Sequence, residues 1–140
     1  MKKYNIAIVG TGAVGQAILD VLAERNYPIN NLKLLATSRS AGKEVTYQGQ
    51  VYTIEETAAE SFEGIDVAFF AGGAASKLFA EEAVKRGAIV IDNSSTFRLD
   101  PKVPLVVPEV NPEDVKSHQG IIANPNCSTI QMVVALKPLY

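Results

Sequence analysis

Short apolar runs alternate with segments of helical periodicity along the whole chain. The runs, beginning with residues 4–9, have the length of buried strands, and each is followed by glycine or small polar residues. Between the runs, apolar residues recur at every third or fourth position, as Val14, Ile18 and Val21 do, which is typical of one face of a helix. This alternation predicts an α/β fold, a doubly wound parallel sheet with helices on both faces.

Turn and cap residues set the predicted bounds of these elements. The predicted strands are 4–9, 32–36, 66–71, 88–91 and 120–123, with a hairpin over 45–54. Pro28 is expected to stop the first helix and Gly87 the second. Thr57 and Glu60 have the spacing of a capping box, so a short helix is predicted to begin there.

The residues that follow the strands are glycines or small polar residues, with one arginine and one cysteine among them. Ligands of parallel α/β sheets bind beyond the carboxyl ends of the strands, which lie at one edge. The strand ends therefore predict one ligand site, built from Gly10–Gly12, Thr37–Ser40, Gly72-Gly73, Asn93–Ser95 and Asn126-Cys127.

A glycine-rich segment lies between the first strand and the first helix. Its residues are Gly10, Thr11, Gly12, Ala13, Val14 and Gly15, in a GxGxxG spacing. In this context the glycines let a pyrophosphate approach the backbone, and the helix N-terminus supplies N–H groups and partial positive charge. The segment predicts a Rossmann-type dinucleotide site, and the alternative is a glycine turn without a ligand.

The end of the second predicted strand indicates which dinucleotide binds. NAD sites of this type place an Asp or Glu there for the ribose 2′-hydroxyl, whereas this chain has Thr37, Ser38, Arg39 and Ser40. The Arg39 guanidinium offers a planar set of donors for a 2′-phosphate, and the three hydroxyls can assist. We therefore predict NADP as the cofactor. The alternative is that Arg39 is a solvated loop arginine.

The single cysteine, Cys127, directly precedes a helical pattern and follows Asn124-Pro125-Asn126. A helix N-terminus stabilises a thiolate, and its first N–H groups can hold an oxyanion formed on a carbonyl substrate. A reactive thiol beside a nicotinamide suggests aldehyde chemistry through a thioester, with Cys127 as the nucleophile. The alternative is a buried structural cysteine.

Composition narrows the classes of function. A chain of 140 residues with 47% apolar residues predicts one globular domain, and a net charge of -2 gives no electrostatic case for nucleic acid or a membrane surface. No apolar run has the length of a transmembrane helix or a signal-peptide core. A lone cysteine cannot form an internal disulfide, which agrees with a reducing compartment, so we expect a soluble cytoplasmic protein. We expect no metal site.

Five motifs together resemble the bacterial aspartate-semialdehyde dehydrogenases. They are the glycine segment, Arg39–Gly42, Asp92–Ser95 with Phe97-Arg98, Val106–Asn111, and Gly120–Thr129. The resemblance implies that L-aspartate 4-semialdehyde, phosphate and NADP interconvert with L-4-aspartyl phosphate and NADPH, on the route to lysine, threonine and methionine. N-acetyl-gamma-glutamyl-phosphate reductases are similar but place Gly before the cysteine, where this chain has Asn126. The remaining alternative is a nucleotide-binding module without catalysis.

The resemblance also implies a role for each matching residue. Cys127 would form the acyl-enzyme, Asn126 would orient the substrate, and Arg98 would bind the phosphate. Arg39 and Ser40 would hold the 2′-phosphate, and Gly72, Gly73 and Asn93 would line the nicotinamide end. Two segments, Gly10–Gly15 and Phe70–Ala74, are one residue shorter than the family's usual forms, and both lie in the predicted cofactor site.

The family's length implies a domain division. Residues 1–130 are expected to form the dinucleotide-binding domain that carries the nucleophile, and residues 131–140 the start of a remainder. That remainder would supply the family's general base histidine, a substrate-carboxylate arginine and most contacts of a homodimer. The resemblance thus implies that this chain alone binds cofactor weakly, if at all, and does not turn over substrate.

Overall fold

Strands and helices alternate in the computed structural model, which describes residues 2–139. The strands are β1 (Tyr4–Val9), β2 (Ile29–Ala36), β3 (Glu44–Tyr47), β4 (Gln50–Thr53), β5 (Glu55–Glu56), β6 (Val67–Phe70), β7 (Ile89–Asp92) and β8 (Ile121–Ala123). The α-helices are α1 (Ala13–Glu24), α2 (Gly73–Lys85) and α3 (Cys127–Leu136). Short 3-10 helices span Ala59–Phe62, Pro112–Ser117 and Lys137–Leu139.

Six of the strands form one parallel sheet in the order β5-β2-β1-β6-β7-β8. On one side of β1 lie β2 and then β5, and on the other side lie β6, β7 and β8 in chain order. β1 and β6 are neighbours, so the strand order reverses between them, and ligands of doubly wound sheets bind at such a crevice. β3 and β4 form the predicted hairpin outside this sheet.

Helices cover both faces of the sheet. This is seen in β1, where alternate residues belong to two different core clusters. In β1, Ile6 and Ile8 pack in a cluster with Leu19 and Leu22 of α1. Ala7 and Val9 pack on the opposite face with α2 residues. The predicted Rossmann-type doubly wound fold is thereby confirmed.

The turn from β1 into α1 depends on its first and third glycines. Gly10 has a φ of 103°, a conformation that favours glycine. A Cβ at Gly15 would collide with the carbonyl oxygen of Gly10, so only glycine lets α1 approach the end of β1 this closely. Gly15 is buried in this contact.

The short helix before β6 begins differently from the prediction. The Ser61 hydroxyl accepts a hydrogen bond from the Ala58 N–H (3.0 Å), so Ala58 is the residue at the N-cap position. The Thr57 hydroxyl instead donates to the carbonyl of Ala36 (3.1 Å) at the end of β2. The predicted capping box of Thr57 and Glu60 is therefore wrong, because a tertiary contact takes up the threonine hydroxyl.

The last helix, α3, differs from the other two in that none of its residues is buried. Met132 and Leu136 are 56% and 51% exposed, whereas Leu19 of α1 is 3% exposed. The position of α3 is set by its N-terminal residues, since Pro125 is buried just before it. None of the helices in residues 2–139 has the length and apolar character that crossing a bilayer requires.

Candidate functional site

A cleft of about 580 Å³ opens at the carboxyl edge of the sheet, where β1 and β6 are neighbours and β2 lies beside them. It brings together residues that are far apart in the sequence. Eight of the predicted cofactor residues line it: Gly10, Thr11, Gly12, Thr37, Ser38, Ser40, Gly72 and Gly73.

The remaining predicted cofactor residues lie around this cleft rather than in its lining. Ala13 is exposed as the first residue of α1, and Gly15 supports the turn from inside. Val14 and Asn93 line a neighbouring cavity of about 300 Å³. The Arg39 side chain is exposed next to Ser38 and Ser40 but does not line the cleft.

The N-termini of two helices meet at this cleft. α1 and α2 have glycine at their N-cap positions, Gly12 and Gly72, and neither helix has a side-chain cap. Their first-turn N–H groups therefore have no capping side chain and carry the positive end of each helix dipole. A Cβ at Gly12 would meet no atom within 4 Å, so space is open where a pyrophosphate would approach the backbone. These features fit a dinucleotide.

A network of hydrogen bonds ties α2 to the loop after β7. The Asp92 carboxylate is completely buried and accepts from the Ser76 hydroxyl (2.6 Å) and from the Ser94 N–H (3.0 Å) and hydroxyl (2.8 Å). Buried carboxylates require such donors. Asp92 belongs to a motif of the resemblance but had no predicted role, and Ser76 was not predicted; the one signal in the sequence is an acid that ends an apolar strand.

Arg98 joins the loops that follow β7 and β8. Its Nε donates to the carbonyl of Asn124 (2.8 Å) and its Nη2 to the carbonyl of Asn93 (3.1 Å). The side chains of Asn124 and Asn93 are also hydrogen-bonded to each other. The guanidinium thus holds together the predicted nicotinamide-side residue Asn93 and the segment that leads to Cys127. Asn124 is a further site residue that the sequence analysis did not assign a role.

Cys127 is the first residue of α3, and its side chain is exposed. The preceding residue, Asn126, caps the helix, because its Oδ1 accepts a hydrogen bond from the Ser128 N–H (2.9 Å). The thiol therefore lies at the positive end of a capped helix, on the edge of the sheet at which the strands end. In this chain the Cys127 side chain is exposed rather than buried. Within residues 2–139 no three His, Cys, Asp or Glu side chains are grouped as metal ligands.

Comparison with known proteins identifies the family. Residues 5–118 match the model described as "Semialdehyde dehydrogenase, NAD binding domain". The chain belongs to this family of NAD-binding domains. It is 59% identical over 137 residues to the aspartate-semialdehyde dehydrogenase of Bacillus subtilis, a match that covers 96% of this chain and 40% of the relative. The resemblance found in the sequence is confirmed, and the chain spans about two-fifths of that relative's length.

Solved structures of the same family have the same fold. Aspartate semialdehyde dehydrogenase II from Vibrio cholerae, complexed with ASA, matches with a TM-score of 0.94 and 48% identity over 99% of this chain and 47% of its own. The enzyme from Candida albicans, crystallised with NADP, matches with a TM-score of 0.80 and 28% identity over 99% of this chain and 47% of its own. The relatives are oxidoreductases, and the matching domain binds NAD-type dinucleotides.

Proposed function

We propose that the chain is the NADP-binding part of an aspartate-semialdehyde dehydrogenase in which Cys127 is the nucleophile. The observation that carries this proposal is the exposed Cys127 thiol at the first turn of α3. It lies on the same sheet edge as a cleft with two uncapped helix N-termini. Residues 1–130 act as the dinucleotide-binding domain, and residues 131–140 begin the remainder of the enzyme.

The proposed reaction converts L-4-aspartyl phosphate to L-aspartate 4-semialdehyde. The Cys127 thiolate attacks the acyl carbon, the bond from that carbon to the phosphate oxygen breaks, and inorganic phosphate leaves a thioester behind. NADPH held in the cleft lined by Gly10, Gly12 and Ser38 would supply the hydride that reduces this thioester, and cleavage of the carbon–sulfur bond would release the aldehyde and restore the Cys127 thiolate. The first-turn N–H groups of α3 stabilise the oxyanion that forms when the thiolate adds.

Hydrogen bonds in the structure limit what the neighbouring residues can do for the substrate. Asn126 uses its Oδ1 to cap α3, which leaves its amide N–H groups to orient the substrate. Arg98 uses two of its five N–H donors on backbone carbonyls, which leaves three for the phosphate. Both residues therefore keep free donors on an ordered backbone, as binding an anionic substrate requires.

NADP is proposed over NAD because hydroxyl groups line the adenosine end of the cleft and an arginine adjoins it. Thr37, Ser38 and Ser40 line the cleft, and the exposed Arg39 can swing its guanidinium onto a 2′-phosphate. The cleft contains the open Gly12 position that a pyrophosphate needs. The nucleotide site can be tested on this chain, whereas turnover requires the general base that we assign to residues beyond it.

Three further features of the whole enzyme follow from this proposal. The enzyme works in the cytoplasm, in the biosynthesis of lysine, threonine and methionine. It forms a homodimer, with most contacts made by residues outside this chain. Gel filtration with light scattering on the full-length enzyme measures the homodimer, and complementation of a strain that requires these three amino acids measures the biosynthetic role.

The proposal is tested by titrating the chain with NADPH and NADH and following nicotinamide fluorescence. We expect NADPH to bind more tightly, and Arg39→Ala to weaken NADPH binding about tenfold while leaving NADH unchanged, because one bidentate ion pair with the 2′-phosphate is lost. Arg25→Ala is the matched control, since Arg25 is exposed at the far end of α1. Equal loss of both cofactors in Arg39→Ala would contradict the proposal. If the chain binds neither cofactor, the titration is repeated on the full-length enzyme, and absence of binding there would contradict it.

The nucleophile is tested by the rate at which Cys127 reacts with iodoacetamide at pH 7. The chain has one cysteine, so the reaction reports this thiol alone. We expect the native chain to react about tenfold faster than the same chain unfolded in urea, because only the folded α3 stabilises the thiolate. An equal or slower rate in the native state would argue against Cys127 as the nucleophile.

A further inference from the structure

An acidic side chain that the sequence analysis did not assign lies in the wall of the dinucleotide cleft. Glu56 is the last residue of β5, and its Cα pairs with that of Ala36 at the end of β2. It lines the cleft together with Thr37, Ser38 and Ser40, the residues proposed to surround a 2′-phosphate. Of the described residues that line this cleft, Glu56 is the one that carries a charge.

The backbone around Glu56 is anchored to the end of β2. The Thr57 N–H (2.9 Å) and the Thr57 hydroxyl (3.1 Å) both donate to the carbonyl of Ala36. Paired strands lie about 4.8 Å apart, so a glutamate side chain on β5 reaches a group bound at the end of β2. The ion pairs among residues 2–139 do not involve Glu56, and its exposed carboxylate is available to a ligand.

Two opposite charges therefore adjoin one subsite. In dinucleotide-binding folds of this type, an acid at the end of the second strand accepts a hydrogen bond from the ribose 2′-hydroxyl of NAD, while an arginine accommodates the 2′-phosphate of NADP. In this chain the arginine, Arg39, follows β2 itself. The acid, Glu56, comes from the neighbouring strand β5, and the residues Thr37–Ser40 that directly follow β2 include no Asp or Glu.

We propose that Glu56 is a specificity-determining residue that opposes Arg39 and keeps the preference for NADP modest. This inference rests on the proposed nucleotide site. The Glu56 carboxylate accepts a hydrogen bond from the ribose 2′-hydroxyl of NADH and repels the 2′-phosphate of NADPH. Charge repulsion between solvent-exposed groups changes affinity only a few-fold and weakens with salt, so the cleft binds both cofactors.

The experiment compares Glu56→Gln with Glu55→Gln in the fluorescence titration. Glu55 is also exposed but does not line the cleft, so its variant changes the net charge equally and controls for long-range effects. We expect Glu56→Gln to tighten NADPH binding about fivefold and to weaken NADH binding about twofold, which widens the preference about tenfold. The gain for NADPH should shrink when the salt concentration rises from about 50 mM to about 500 mM.

The outcomes distinguish failure of the Glu56 proposal from failure of the proposed nucleotide site. If both cofactors bind the wild type and Glu56→Gln leaves their affinity ratio unchanged, or Glu55→Gln shifts it equally, the inference about Glu56 is wrong and the nucleotide site stands. If the folded wild type binds neither cofactor, both as this chain and as the full-length enzyme, the proposed nucleotide site fails and the role of Glu56 fails with it. Circular dichroism of both variants establishes that they are folded, as expected for two exposed side chains.

Discussion

The two ends of the ligand edge are built in different ways. At the cofactor end, α1 and α2 begin at uncapped glycines, and each of these helices buries three residues against the sheet. At the thiol end, α3 begins at a capped residue, Asn126, and buries none. The first arrangement keeps N–H groups open for an anion and holds them with a packed core. The second fixes the thiol through its cap and the preceding loop.

Because of this difference, we expect changes in α1 and α2 to affect stability and changes in α3 to affect the reactivity of Cys127. The packing of α1 and α2 makes the cofactor end part of the cooperative fold, so changes there alter global unfolding. Within this chain α3 buries no residue, so we expect changes there to alter the local position of Cys127. The hydrogen bonds of Arg98 and the buried Asp92 network connect the two ends, because they tie α2 and the loops after β7 and β8 together.

The largest expected effect is at the turn into α1. Gly15→Ala places a methyl group against the carbonyl of Gly10, so the backbone must move either in α1 or at the end of β1. We expect the free energy of unfolding to fall by about 4 kcal/mol, because the new atom meets the backbone carbonyl of Gly10 rather than the end of a flexible side chain. Urea denaturation followed by circular dichroism measures this change.

Gly12→Ala is the matched control for this prediction. A Cβ at Gly12 meets no atom within 4 Å, so its unfolding free energy should change by less than about 1 kcal/mol. The same methyl group should weaken NADPH binding, because it occupies the open space over the N-terminus of α1. Similar loss of stability in both glycine variants would contradict the assignment of Gly15 to packing and of Gly12 to ligand binding.

A pair of leucines tests the difference in packing directly. Leu19 of α1 is 3% exposed and Leu136 of α3 is 51% exposed. We expect Leu19→Ala to lower the free energy of unfolding by about 3 kcal/mol, because it leaves a cavity between α1 and the sheet. Leu136→Ala should change it by less than about 0.5 kcal/mol. A loss above about 1 kcal/mol for Leu136→Ala would mean that α3 contributes to the cooperative fold.

Much of the fold and part of the site could be predicted from the sequence because their causes are local. The GxGxxG segment between an apolar run and a helical pattern specifies the turn into α1 and leaves open space at its N-terminus, and the Asn-Pro-Asn-Cys segment specifies the start of a helix. The hydrogen bonds of Asp92 and of the Thr57 hydroxyl were not predicted, because their partners lie 16 and 21 residues away in the sequence. The proposed role of Glu56 has the same origin. For Glu56 that partner is a strand beside it in the sheet.

The smallest expected effect is at the cap of α3. Asn126→Ala removes the acceptor for the Ser128 N–H, which costs about 1 kcal/mol of local helix stability. Because α3 buries no residue, the midpoint of global unfolding should stay within error. The first turn should fray, and the reaction of Cys127 with iodoacetamide at pH 7 should slow about threefold. Asn126→Ser keeps a capping oxygen and should restore most of the rate. Equal slowing in both variants would instead mean that the Asn126 amide contacts the thiol directly, and that the cap has no part in its reactivity.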